Sequence, residues 1–156
     1  MNTPEHSAIF QSSQRFDENR IGAAAVYCSD GRFGEQFDDF LHNALKLPRY
    51  DRLAVPGGAA CLTGQCVSFW EEEALIEQLR FLIKVHGIER AVLIAHQGCA
   101  FYTERLRISP SQLEIQQRED MKTAVRRVRS LAANLAVDAF FARKHADGTI
   151  RFEAME

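Results

Sequence analysis

The chain has 156 residues, 46% hydrophobic and 26% charged, which is the size and composition of one α/β or α+β domain with a full core. Nineteen basic residues against 21 acidic ones leave a formal charge of −2, so no broad cationic surface is on offer and nucleic acid is set aside as a partner. Residues 1–20 hold no apolar stretch of signal-peptide length and no later run approaches the ~20 apolar residues of a membrane span, so the sequence reads as cytoplasmic and free of membrane contact.

Residues 1–20 form a polar arm without a core pattern, with some helical tendency around Ser7 to Ser13, and residues 21–156 read as a single α/β domain. The run from Ile21 to Tyr27 is continuously apolar between Arg20 and Cys28, the pattern of a strand buried on both faces. Phe37, Phe40, Leu41, Ala44 and Leu45 recur at three- and four-residue spacing and predict an amphipathic helix over 35–46, closed by Leu47-Pro48. A short strand over 51–55 runs into Pro56-Gly57-Gly58. Over 69–86, Leu75, Leu79, Leu82 and Ile83 share one face, with glutamates in the first turns and Gly87 just past the end, the polarity of a helix.

Ala91 to Ala95 is a second fully apolar strand, and it ends at His96. Segment 103–118, with Pro110 inside, carries little pattern and reads as an excursion over the surface. Met121, Val125, Val128, Ala132 and Leu135 then mark a helix, with Arg126, Arg127 and Arg129 on a solvated face. Val137–His145 and Ile150–Met155 are strand-like, and Asp147-Gly148 between them predicts a tight hairpin. Strands alternating with helices define the expected fold class: α/β, a mainly parallel central sheet flanked by helices, with an antiparallel edge hairpin at the C-terminus.

Four cysteines are too few for a disulfide-stapled fold and must be judged one at a time. Two apolar strands end in a metal-ligating residue, one at Cys28 and the other at His96, with Cys99 three residues further on. If the two strands are neighbours where the strand order reverses, these side chains can close on one ion at the carboxyl edge of the sheet. Two thiolates and an imidazole suit zinc in a roughly tetrahedral site, and three ligands without an evident fourth leave a position for water, as catalytic sites do. Asp30 and Arg32 follow Cys28 closely enough to reach the open side of such a site, where an aspartate paired to arginine stays ionised and can accept a proton in a hydrogen bond.

Cys61 and Cys66 have nearly zinc-like spacing but no second pair, and burial against the following helix suits them better. His42, His86 and His145 have no ligand partner at metal spacing; His86, beside Gly87, suits a helix carboxyl terminus. Phe33, Phe101 and Tyr102 flank the motifs and fit either an apolar pocket or plain core packing.

Cys28-Ser29-Asp30-Gly31-Arg32 resembles the Cys-x-Asp-x-Arg motif of β-class carbonic anhydrases, and His96-Gln97-Gly98-Cys99 resembles their His-x-x-Cys. The resemblance runs with the strand and helix alternation from about residue 21 to 155. It implies one Zn2+ held by Cys28, His96 and Cys99, a catalytic dyad of Asp30 and Arg32, and reversible hydration of carbon dioxide to bicarbonate. It also implies a homodimer or higher homo-oligomer joined through the amino-terminal arm. The same machinery would serve carbonyl sulfide or carbon disulfide. A non-catalytic zinc-binding protein on this scaffold is a further expectation, against which the intact Asp30 and Arg32 argue. Two departures stand out: Ala54-Val55-Pro56-Gly57-Gly58 where the family usually has Arg-Asn-x-Gly-Gly, and Ala100 where it commonly has glycine.

Overall fold

The structure, a computed structural model, describes residues 7–64 and 69–155. Among the described residues the strands form one five-stranded sheet: β1 (Ala23–Cys28), β2 (Asp51–Val55), β3 (Arg90–His96), β4 (Ala136–Lys144) and β5 (Ile150–Ala154), in the order β2-β1-β3-β4-β5. The first four run parallel, and β5 pairs antiparallel with β4 across the turn at 145–149. The chain therefore steps to one side of β1 to make β2 and to the other side to make β3. That reversal leaves a crevice at the carboxyl ends of β1 and β3.

All six residues of β1 are buried, because helices cover both faces of the sheet. The strand's two-residue period divides the core. Ala24, Val26 and Cys28 face α2 (Phe69–Phe81) and α3 (Pro110–Arg129), together with a 3-10 segment over Gly58–Thr63; Ala23, Ala25 and Tyr27 face α1 (Gly34–Asp39). Phe37 on one side and Leu79 on the other are fully buried, each contributing about 1.5–3 kcal/mol of hydrophobic stabilisation.

Several expectations are corrected. The segment expected to wander over the surface instead carries most of a wide turn at Phe101–Arg105 and the first nine residues of α3. Pro110 opens that helix rather than interrupting it: Ser109 is extended (φ −66, ψ 149), and Pro110 stands at the first turn, where its missing N–H leaves nothing unpaired. The buried face of α3 includes Gln117 and Asp120, two polar residues that hid its period, and the helix ends at Arg129, short of the expected Leu135. Arg127 is not on a solvated face but pairs with Glu72 of α2. Helices α1 and α2 each continue into a single wider turn, Phe40–Ala44 and Leu82–His86. His86 stands in the last turn before the Gly87 cap and also pairs with Asp51, Nδ1 to Oδ2 2.7 Å. Residues 7–20 hold no helix or strand and lie exposed. Arg49 ties the end of that arm down by donating to the carbonyls of Asp17 (3.1 Å) and Asn19 (3.0 Å). Cys61 is buried and lines a pocket with Ala74 and Leu75 of α2, whereas Cys66 lies outside the described residues.

The turn after β2 is what lets the second strand close against the first. Gly57 and Gly58 both have positive φ (80° and 54°), and a Cβ on Gly58 would stand 2.8 Å from the backbone of Tyr27 and 2.9 Å from that of Cys28. Strand backbone cannot give way as a flexible side chain would. We expect Gly58→Ala to lose about 1–2 kcal/mol from the left-handed conformation alone, with the crowding added to it. Gly148→Ala, at φ +83 with nothing within 4 Å of its Cβ, should lose only the conformational part. Urea denaturation at constant m compares the two; equal losses would contradict the close approach at Gly58.

Candidate metal centre

Tyr27 pairs with Ile94, so Cys28 leaves the sheet one residue beyond that pair and His96 two residues beyond it, on neighbouring strands. Gln97 N–H donates to Ala142 O and turns the chain after β3, which brings Cys99 back towards Cys28. The donor atoms of Cys28, His96 and Cys99 all lie within 4.8 Å of one another, and Sγ of Cys99 is 3.9 Å from Sγ of Cys28. Two thiolates bound tetrahedrally at ~2.3 Å to one zinc ion would stand about 3.8 Å apart.

The state of each donor follows from its neighbours. Nδ1 of His96 is 3.0 Å from Gln97 O, a carbonyl that can only accept, so Nδ1 carries the hydrogen and Nε2 presents its lone pair. That Nε2 is buried and has no partner among the described residues. An unpaired lone pair between two thiols is what a metal site looks like from the protein side. The Cys28 thiol is lowered well below its ordinary value, first by the Cys99 S–H beside it and further by the backbone N–H groups of Gly57 and Asp30. Cys99 is raised by the same contact and by burial. The pair thus shares a proton that a cation would displace.

Among the described residues no carboxylate joins this group. Asp30 is engaged elsewhere. Arg32 holds it by Nε to Oδ1 (3.0 Å), Nη2 to Oδ2 (2.7 Å) and its own backbone N–H to Oδ1 (3.1 Å). The guanidinium keeps the Asp30 carboxyl down at about 2, so the ion pair is complete above the ordinary 3.8 and is lost only as the pH falls through about 2. Arg32 itself is largely exposed, so this is an orienting contact more than a stabilising one.

Two spaces adjoin the donors. Outside, a cleft of about 640 Å³ lies between Arg32, Phe33 and Gln36, the Gln97-Gly98 loop, and the turn at Lys144–Gly148. The Gln97 side chain fastens that turn by accepting from Lys144 N–H at 3.0 Å. Inside, a cavity of about 10 Å³ is lined by the three donors, Gly57, Ala59 and Ala60, and by Tyr102, Gln117 and Asp120. Tyr102 O–H donates to Asp120 (2.8 Å), and its own proton is held tightly by burial and by that carboxylate.

All five residues singled out from the sequence therefore stand at one edge of the sheet. Of the flanking aromatics, Phe33 packs tilted against the His96 ring with centroids 4.3 Å apart, Phe101 lies under Gly57, and Tyr102 lines the inner cavity; all three are buried. Ala54 and Ala100 are exposed, and neither they nor Val55 line the inner cavity, so the departures from the family pattern lie outside it. Sequence reading missed Gln117 and Asp120. Their signal was present: they occupy the core-facing positions of a helix otherwise lined by Leu113, Met121, Ala124 and Val128.

A family model described as "Putative carbonic anhydrase" matches residues 18–150. No curated protein matches the chain. Among solved structures, the chain is similar to β-carbonic anhydrase isoform I from the protozoan Trichomonas vaginalis, at 14% identity and a TM-score of 0.56, over 90% of this chain and 87% of that one. The β-carbonic anhydrase CafA of the fungal pathogen Aspergillus fumigatus aligns at 14% identity and a TM-score of 0.47, over 86% of this chain and 76% of that one. The first of these carries the fold.

The donor geometry generates a metal test. We expect purified protein to hold one soft divalent metal ion per chain, and Cys99→Ser to weaken its retention on the order of 10²-fold or more, beyond what loss of a supporting contact would cost. Cys61→Ser, outside the donor group, should leave the metal content unchanged. Elemental analysis after dialysis against a chelator checks both.

Proposed function

The chain belongs to this carbonic anhydrase family, and from that premise we propose that it catalyses the reversible hydration of carbon dioxide to bicarbonate with one zinc ion held by Cys28, His96 and Cys99. The observation that carries this reading is the unpaired His96 Nε2 between two thiols, beside an aspartate locked by arginine. Zinc in such a site lowers the pKa of a water ligand, to about 7 in histidine-ligated carbonic anhydrases, and so supplies hydroxide at neutral pH.

The protein's part is orientation. Asp30, ionised across the working pH range, accepts a hydrogen bond from the attacking oxygen and turns a lone pair of that oxygen towards the substrate carbon. Arg32 keeps the carboxylate in that position and off the metal. Arg32, Lys144 and His145 line the outer cleft, where an anionic product meets positive or protonatable groups as it leaves. The same geometry admits carbonyl sulfide and carbon disulfide, which are likewise linear and nonpolar, past the buried Phe33 ring.

The arm supports an oligomeric reading. Ile9, Phe10 and Phe16 are almost fully exposed, an arrangement that a second copy of the chain would relieve, and this supports the proposal of a homodimer or higher assembly; a cytoplasmic location is part of the same proposal. No helix among the described residues is long and apolar enough to cross a membrane.

Stopped-flow carbon dioxide hydration tests the activity. Asp30→Asn should keep its zinc and lose on the order of 10²-fold in kcat. Arg32→Ala should keep its zinc and lose nearly all activity, because the freed carboxylate can then reach the metal. Full activity in both variants would remove the dyad from the mechanism and favour a non-catalytic zinc protein. A wild type inactive on carbon dioxide directs the assay to the sulfur substrates.

Light scattering at micromolar concentration should give at least twice the 17.7 kDa chain mass, and Phe10→Ser with Phe16→Ser should shift it towards the monomer. A monomeric wild type would contradict the assembly.

A further inference from the structure

Among the described residues, three buried side-chain polar atoms have no hydrogen-bond partner: Gln36 Oε1, His96 Nε2 and Gln117 Oε1. The last two belong to residues lining the same small cavity. They do not satisfy each other. The His96 nitrogen is accounted for by a metal; the Gln117 oxygen is not.

The orientation of the Gln117 amide is fixed by chemistry. Its Nε2 stands 2.9 Å from His96 O, and a carbonyl oxygen only accepts, so the nitrogen must be the atom placed there. Oε1 is thereby turned away from His96 O, with no freedom to flip. The residue is 2% exposed, in the middle of a 20-residue helix, and Leu113 and Met121 bury the positions one turn before and one turn after it. An unpaired buried carbonyl costs about 1–3 kcal/mol, which a protein tolerates when something absent from the polypeptide supplies the donor. The cavity, at about 10 Å³, has room for one water-sized group.

We infer that Gln117 is a contact residue of the metal cavity, its side-chain carbonyl accepting a hydrogen bond from a water molecule held beside the Cys28, His96 and Cys99 donors. Asp120 continues the same wall. Its carboxylate accepts from Tyr102 O–H and from Gln116 Nε2 (2.8 Å each), so its negative charge stands on the inner side while the Gln117 carbonyl is the acceptor there still without a donor. Such a wall selects a neutral donor and repels anions, the opposite of the outer cleft with Arg32 and Lys144. The placement of this water beside the donors rests on the metal reading above; the contact to Gln117 does not.

The test uses the cobalt(II)-loaded full chain, with azide as the anionic probe followed by visible absorption. Gln117→Met keeps the side-chain length and removes the acceptor, and azide should bind at least about ten-fold tighter; the loss of the amide donor to His96 O is common to this variant and the glutamate one, so it cannot separate them. Gln117→Glu keeps an acceptor and adds negative charge, and azide should bind at least about ten-fold weaker. A residue acting only through packing would shift both variants in the same direction or neither, and either result overturns the inference. A crystal structure of the wild-type protein provides a second reading that needs no variant to fold: a solvent oxygen within hydrogen-bond distance of Gln117 Oε1 is expected, and a dry cavity, or a protein donor on that oxygen, would refute the contact. Failure of the wild type to take up cobalt would overturn the metal reading instead, and the crystal structure would still decide for Gln117.

Discussion

Two thiols and an imidazole nitrogen packed within 4.8 Å of one another inside a protein repel each other as soon as they lose their protons. A cation between them would convert that repulsion into attraction, and the surrounding contacts leave the three donors free for one. The Nδ1 hydrogen of His96 is committed to Gln97 O, the Asp30 carboxylate is committed to Arg32, and the backbone N–H groups of Gly57 and Asp30 favour the thiolate of Cys28. Each of these contacts leaves the three donor atoms facing one another. A cation is the group that fits.

The fold supplies the convergence through its strand order. Because the chain goes to opposite sides of β1 for β2 and β3, no crossover covers the carboxyl ends of β1 and β3, and both donor-bearing strands open onto the same crevice. Cys28 and His96 lie on opposite faces of the sheet, Cys28 with the α2 and α3 core and the His96 ring against Phe33 on the α1 side. They can meet only past the sheet edge. The Gly57-Gly58 turn closes the third side by pressing against the β1 backbone at a distance that a side chain would forbid.

Around that centre the polar groups sort by sign. On the solvent side stand Arg32 and Lys144 with His145, open to water, where their charges steer rather than stabilise. On the buried side stand the Gln117 carbonyl and the Asp120 carboxylate, screened from water, where an acceptor has a large effect on what may bind. A site with acceptors within and cations without favours a neutral species at its centre and an anion at its mouth. That asymmetry supports the proposed hydration, in which a neutral gas becomes an anion.

The sequence by itself determined the strands and the donors. Short unbroken apolar runs at 21–27 and 91–95, bounded by polar and turn residues, suit strands buried on both faces, and the residues that end them, Cys28 and His96 with Cys99, have a chemistry that little besides a metal uses together. Asp30 and Arg32 were legible for the same local reason, since two residues of separation in a turn suffice for a bidentate pair. The tertiary structure alone decided the start of α3, because Pro110 reads as a breaker until Ser109 is seen to stand extended before it, and because Gln117 and Asp120 interrupt the apolar period of a face that is nevertheless buried. It alone decided what those two residues face. Burying a polar side chain is costly in general and favourable only opposite a particular partner, and that partner, a cavity shared with strands ending at positions 28 and 96, comes into being when segments far apart in the chain are packed together.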